Sequence, residues 1–204
     1  MSKTVWMFPG QGAQKAGMAK DFYENSPLAQ ELFDQADAAL DFDLRTTCFE
    51  ENEQLHLTEY TQPCLVAACL AMAGELRKRG QKPDMTAGLS LGEYAAIAAA
   101  GGMRALDAIR LVRKRGLLMQ NTVPAGEGAM CAVLGMETGA IEAVLENRTG
   151  VTIANYNCPG QIVITGKTAE VQEAAEALKA AGARRVVPLK VSGPFHSPLL
   201  KSAG

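Results

Sequence analysis

The chain has 204 residues, 48% of them apolar and 21% charged, with 20 Lys and Arg against 22 Asp and Glu for a formal net charge of -2. That length and apolar content suit one ordinary domain, or one domain carrying a smaller one, and exclude a largely disordered chain. So even a charge balance advertises no polyanion-binding surface, which argues against a nucleic-acid partner, and no stretch has the uninterrupted apolar length of a bilayer span.

The N-terminus, Met1-Ser2-Lys3-Thr4, runs straight into a strand-like segment without a signal-peptide pattern, so a soluble, cytoplasmic protein is expected; a monomer is taken as the default. Five cysteines (Cys48, Cys64, Cys69, Cys131, Cys158) include no CxxC spacing and only two histidines accompany them, so neither a disulfide framework nor a metal site is expected. The cysteines read as small buried hydrophobes.

In chain order, residues 4–8 read as a short strand ending in the breaker run Pro9-Gly10-Gln11-Gly12, followed by a helix over 26–40. A second helix is expected over 58–79, with Pro63 in its first turn and Gly80 just past its end. Residues 84–87 form a brief extended piece that feeds Gly88-Leu89-Ser90-Leu91-Gly92 and then an Ala-rich helix through residue 100. Another helix spans 105–120. Beyond Pro124 the units shorten into strand 129–134, helix 138–147, strand 151–155, strand 161–165, helix 168–181 and strand 185–189.

Alternating strands and helices imply an α/β protein with a mostly parallel sheet. The order βαββαβ of the later elements is that of a split βαβ, ferredoxin-like unit. The expected organisation is therefore a large α/β domain over 1–124 and 191–204, carrying an inserted ferredoxin-like domain over 125–190.

Among the motifs, Gly88-Leu89-Ser90-Leu91-Gly92 is the most informative. A nucleophile on a sharp strand-to-helix turn needs small residues two positions to either side, and the following helix presents its N-terminal amides to the serine. The Leu91 N–H is then a candidate oxyanion donor. The alternative is a Gly-rich turn with Ser90 serving only as a helix cap.

A serine needs a base. His56 sits in the polar run Glu53-Gln54-Leu55-His56-Leu57 and reads as a surface residue, whereas His196 lies in the proline-flanked loop Gly193-Pro194-Phe195-His196-Ser197-Pro198. A turn histidine bonded to backbone is the other reading of His196.

Helical phase at about 100° per residue places Ala108, Leu111, Val112, Leu118 and Met119 on one face with Arg115 in its middle, and Arg110, Arg113 and Lys114 opposite. An inward-pointing arginine must find an anion, either a carboxylate of a substrate or an Asp or Glu of this chain. Gln11, in the turn after the first strand, meets Ser90 if the two strands are neighbours, since ligands of open α/β sheets collect at the carboxyl ends of strands.

Taken together, the motifs resemble those of the malonyl-CoA:acyl carrier protein transacylases of fatty acid synthesis and the related acyltransferase domains of polyketide synthases. The resemblance rests on Phe8-Pro9-Gly10-Gln11-Gly12, Thr61-Gln62-Pro63, Gly88-Leu89-Ser90-Leu91-Gly92-Glu93-Tyr94, Arg115-Gly116 with Met119-Gln120, Asn155-Tyr156-Asn157-Cys158-Pro159-Gly160-Gln161 and Phe195-His196, and it covers essentially the whole chain. It implies an α/β-hydrolase-like domain with a ferredoxin-like insert. It further implies Ser90 as nucleophile, His196 as its base, Arg115 as the clamp on the free malonyl carboxylate, and Gln11 with the Leu91 N–H as the oxyanion hole.

Met119, Gln62, Asn157 and Phe195 are implied substrate-binding residues, with Phe195 before the histidine going with malonyl over methylmalonyl loading. The implied substrates are malonyl-CoA and the phosphopantetheine thiol of an acyl carrier protein, with no further cofactor. The pattern departs from the family where many members carry His and this chain has Leu89. Family members also continue well past the point matching Gly204, so the chain is expected to be cut short just after its catalytic histidine. Three function classes follow: a malonyl transferase, a serine hydrolase built on the same turn, and a non-catalytic piece.

Overall fold

The computed structural model describes residues 2–124, 126–189, 191 and 193–203. The chain divides into two compact units, Met1–Leu117 and Leu118–Gly204.

The first unit opens with strand β1 (Val5–Phe8), followed by helices α1 (Lys20–Asn25), α2 (Pro27–Ala39), α3 (Leu44–Phe49) and α4 (Thr58–Lys78), strand β2 (Met85–Gly88), and helices α5 (Gly92–Ala99) and α6 (Ala105–Thr122), the last running past Leu117. Helix α2 starts where the sequence predicts: Ser26 is its N-cap, accepting from the Ala29 N–H at 3.4 Å and donating its hydroxyl to Glu75 Oε2 at 2.7 Å. Helices α1 and α3 are six residues each and were not anticipated. Asp43 caps α3 through the Thr46 N–H at 2.9 Å.

Helix α4 is the centre of this unit. Its run Thr61-Gln62-Pro63-Cys64-Leu65-Val66-Ala67-Ala68 is buried throughout, so no polar face survives there, as befits a helix surrounded by others. Around it pack Phe33, Leu44, Ala95 and Ile109, all fully buried. Pro63 lies inside α4, past the first turn where the sequence reading put it. Lacking an N–H, it leaves the carbonyl of Glu59, four residues back, without its helical donor, and the guanidinium of Arg113 takes that place, Nη1 donating to Glu59 O at 2.9 Å.

Strands β1 and β2 pair in parallel, in register from Val5 with Met85 to Phe8 with Gly88. The pair carries exposed apolar side chains, Met7 being 80% and Met85 52% accessible.

The second unit holds strand β3 (Gly128–Leu134), helix α7 (Thr138–Leu145), strands β4 (Val151–Cys158) and β5 (Gln161–Lys167), helix α8 (Thr168–Ala180) and strand β6 (Arg185–Pro188). The element order matches the sequence reading, with β4 three residues longer and α7 two shorter than expected. The sheet runs β4-β5-β3-β6 with every pairing antiparallel.

Side chains alternate across the pleat. Cys131, Val133, Ile162 and Ile164 meet Ile141, Leu145, Val171 and Leu178 of the helices, while Met130, Ala132 and Val163 on the other face pack with Phe195. Pro194 also lies against Gly128, where a Cβ would come within 2.2 Å of its ring. These contacts explain why residues 193–203 group with the second unit, although the sequence reading assigned 191–204 to the large domain.

Of the cysteines, Cys48, Cys64 and Cys131 are buried and Cys69 is half-buried, but Cys158, at the end of β4, is exposed and is not the buried hydrophobe expected. None of the five is in a disulfide. Among the described residues no helix is long and apolar enough to cross a membrane.

Candidate active site

Because β1 and β2 are parallel neighbours, the chain leaves both at the same end, and the turns bearing Gln11 and Ser90 issue from there. Ser90 has φ 51°, a left-handed backbone that a residue with a side chain adopts only when its surroundings impose it. The imposition comes from close packing on either side: a Cβ on Gly88 would lie 2.1 Å from the carbonyl carbon of Gly92, and one on Gly92 would lie 2.2 Å from Phe8 O.

The chain passes directly from this turn into α5, with the Gly92 N–H donating to Leu89 O at 2.9 Å and the Glu93 N–H to Ser90 O at 3.1 Å. The N-cap position of α5 belongs to the buried Leu91, so Ser90 is not the cap of that helix. The Leu91 amide thus stands at the positive end of α5, next to the serine. Leu89 is exposed.

The Gln11 side chain is held by α4, its Nε2 donating to the hydroxyl of Thr58 at 3.0 Å. Thr58 is fully buried at the start of that helix, and Gln62, one turn later, is fully buried too.

The rotation of α6 corrects the expected phase. Its buried residues are Ala108, Ile109, Val112, Arg113 and Gly116, while Leu111 and Leu118, which the sequence reading placed inside, are exposed. Arg113, assigned to the solvated face, is therefore the arginine that points inward. It pairs with Asp41 at 2.8 Å and with Glu59 at 3.0 Å. Burial acts to lower its pKa, but the two carboxylates outweigh that and raise it. The intrachain ion pair weighed for Arg115 belongs to Arg113.

Arg115 instead stands half-buried at the edge of the stripe. Its Nη2 donates to Ser90 Oγ at 3.3 Å, and its guanidinium carbon lies 5.5 Å from the centre of the Tyr94 ring. Among the described residues it forms no salt bridge. Burial pushes its pKa below the usual value, against the pull of Tyr94 and Glu93. A cation desolvated in this way next to a serine hydroxyl can take an anion.

In the second unit Phe195 is buried, its N–H donating to Gly193 O at 3.0 Å, and Met119 is half-buried in the same apolar cluster. The next residue, His196, is exposed with φ 57°. Asn157 is exposed near the end of the edge strand β4. His56 is exposed in the first unit, as read.

The first unit therefore gathers Ser90, Leu91 and Arg115 with Gln11 held nearby by α4, while Phe195, His196 and Met119 belong to the second. Sequence reasoning missed Thr58, Tyr94 and Arg113. The first two carried a signal in their spacing, Thr58 lying four residues before Gln62 and Tyr94 four after Ser90, each a helical-turn neighbour.

The chain is close in sequence to known proteins. The chain is 49% identical to the malonyl CoA-acyl carrier protein transacylase of Bacillus subtilis (strain 168), covering all of this chain and 66% of that protein. It superposes with a TM-score of 0.92 on the crystal structure of MCAT from Streptococcus pneumoniae, at 46% identity and over 98% of this chain and 67% of that one. A complex of a type II PKS acyl-carrier protein with its malonyl-transacylase, PlMCAT:AntF, matches with a TM-score of 0.94 at 40% identity, over 99% of this chain and 67% of that one. The chain thus spans about two thirds of the length of these relatives. The family model described as the acyl transferase domain matches residues 5–204, and the chain belongs to that family.

Proposed function

We propose that the chain carries the nucleophile and acyl-binding machinery of a malonyltransferase, moving a malonyl group from malonyl-CoA to the phosphopantetheine thiol of an acyl carrier protein in fatty acid biosynthesis. The observation that carries this reading is Arg115: half-buried, in no salt bridge among the described residues, and 3.3 Å from Ser90 Oγ. An acyl group bound to Ser90 and bearing a free carboxylate answers both features, because the carboxylate supplies the direct ion pair that Arg115 lacks. The names of the relatives support the same substrates.

In the reaction we infer, His196 takes the Ser90 proton as Oγ attacks the thioester carbonyl. The tetrahedral oxyanion is received by the Leu91 N–H and by the backbone N–H of Gln11, whose side chain is tied to Thr58. Collapse breaks the carbon–sulfur bond, and the departing CoA sulfur takes the proton from His196. The malonyl-serine ester waits with its carboxylate on Arg115 until the carrier thiol, deprotonated by His196, attacks its carbonyl; collapse breaks the bond to Ser90 Oγ, which takes the proton back from His196. No cofactor enters beyond the thioester and the carrier's own pantetheine arm.

Met119, Gln62, Asn157 and Phe195 would shape the acyl and pantetheine sites. The architecture belonging to this reading is an α/β-hydrolase-like domain with a ferredoxin-like insert over 125–190, acting as a cytoplasmic monomer. The test is incubation with malonyl-CoA and a holo carrier protein. Malonyl-carrier is the expected product; free malonate in place of it would mean a hydrolase.

A further inference from the structure

We propose that Arg113 is a positioning residue for the acyl site: it pins α6 to the start of α4 and thereby sets where Arg115 stands relative to Ser90. This rests on the assignment of Arg115 as an anion clamp.

All three nitrogens of the Arg113 guanidinium are committed. Nε and Nη2 grip the two carboxylate oxygens of Asp41 at 2.8 and 2.9 Å, and Nη1 donates to both the backbone oxygen and Oε2 of Glu59, at 2.9 and 3.0 Å. Its central carbon lies 4.8 Å from the ring centres of both Phe42 and Tyr60, which themselves meet edge to face. The anchor on α4 is available because Pro63 cannot donate to Glu59 O. A lysine would not reproduce this grip, since it has no planar fork.

Three residues further along α6, Gly116 lets the two helices touch: a Cβ there would lie 2.7 Å from Glu59 Cα and 2.9 Å from Thr58 O. Arg115 sits between these two fixed points. Its own bond to Ser90 Oγ, at 3.3 Å, is long for a hydrogen bond and does not hold a helix in register. The neighbouring residue on α4, Thr58, is the one that holds Gln11. One short stretch of α4 therefore locates both the anion clamp and the Gln11 turn, and Arg113 is what fastens α6 to it.

The test separates anion binding at Arg115 from the reactivity of Ser90. Phenylmethanesulfonyl fluoride labels the serine, and free malonate protects it to the extent that it occupies Arg115. In the wild-type chain malonate slows labelling, and Arg115→Ala abolishes the protection. Arg113→Met is expected to raise the half-protecting malonate concentration about tenfold while the unprotected labelling rate stays within about threefold, because a displacement of the order of 1 Å costs the clamp far more than it costs the serine turn.

Glu59→Gln, which keeps the backbone acceptor and the Asp41 pair, is expected to shift protection in the same direction by a smaller factor, and it decides the matter if Arg113→Met does not fold. Wild-type protection in both variants, or no malonate protection in the wild type, would overturn the proposal. A chain that is protected by malonate yet never forms a malonyl ester would leave the positioning role standing and count against the transferase reading alone.

Discussion

Arg115 and Ser90 meet across 3.3 Å, Nη2 to Oγ, on two helical elements of one unit, α6 and the turn that opens α5. Two residues earlier on α6, Arg113 is fully occupied by Asp41 and Glu59. The sequence reading offered one inward-pointing arginine two alternative anions, a carboxylate of this chain or one of a substrate; Arg113 takes the carboxylates of this chain, and Arg115 forms no salt bridge among the described residues.

Replacing Arg115 by Ala should therefore discriminate between acyl groups. Loading of Ser90 from malonyl-CoA is expected to fall about 10- to 100-fold, the worth of a hydrogen-bonded charge, while loading from acetyl-CoA changes little. Initial rates with the two thioesters measure this, and equal losses would remove the carboxylate from the role of Arg115.

Thr58→Val keeps the volume of the buried side chain and removes the acceptor for Gln11 Nε2. If that bond positions the Gln11 turn as an oxyanion donor, malonyl and acetyl transfer should slow together, by about tenfold or more, with their ratio preserved. A changed ratio with an unchanged rate would place Gln11 in acyl recognition instead.

The serine turn is sterically closed, so Gly92→Ala should not be tolerated. Its methyl would lie 2.2 Å from Phe8 O, a backbone atom of the paired strand that has no side-chain freedom with which to yield. A loss of about 3 kcal/mol or more in unfolding free energy is expected from denaturant titration, against a small effect for Gly139→Ala, where a Cβ meets nothing within 4 Å.

The Arg113 cluster also predicts a pH dependence. Its hydrogen bonds to Asp41 hold that carboxyl below its usual value. A carboxyl lowered in the folded state contributes stability that is present above its unfolded pKa of about 3.9 and is lost as pH falls through the folded value. The melting temperature of the wild type should drop on acidification below about pH 4, and Asp41→Asn, which has given up that contribution at neutral pH, should show a shallower acid limb.

How much of this was legible depends on how local the physics is. The serine turn could be read directly because its requirement, small residues two positions to either side, is written in five consecutive residues. The βαββαβ order could be read because strand and helix periodicities differ and each element is bounded by breakers. Arg113 escaped because the buried stripe of α6 ends in an arginine and a glycine, neither of which counts as apolar, whereas the exposed Leu111 and Leu118 do. Its burial depends on Asp41 and on a carbonyl freed by Pro63, partners more than 45 residues away. Helices α1 and α3 escaped because six residues are too few for a helical period to stand out.

In the proposed mechanism Ser90 carries the malonyl group. Intact mass and peptide mapping of the protein after incubation with malonyl-CoA test it most directly. One malonyl adduct is expected, located on Ser90 and absent in Ser90→Ala; no adduct, or an adduct on another residue, would contradict the proposed mechanism.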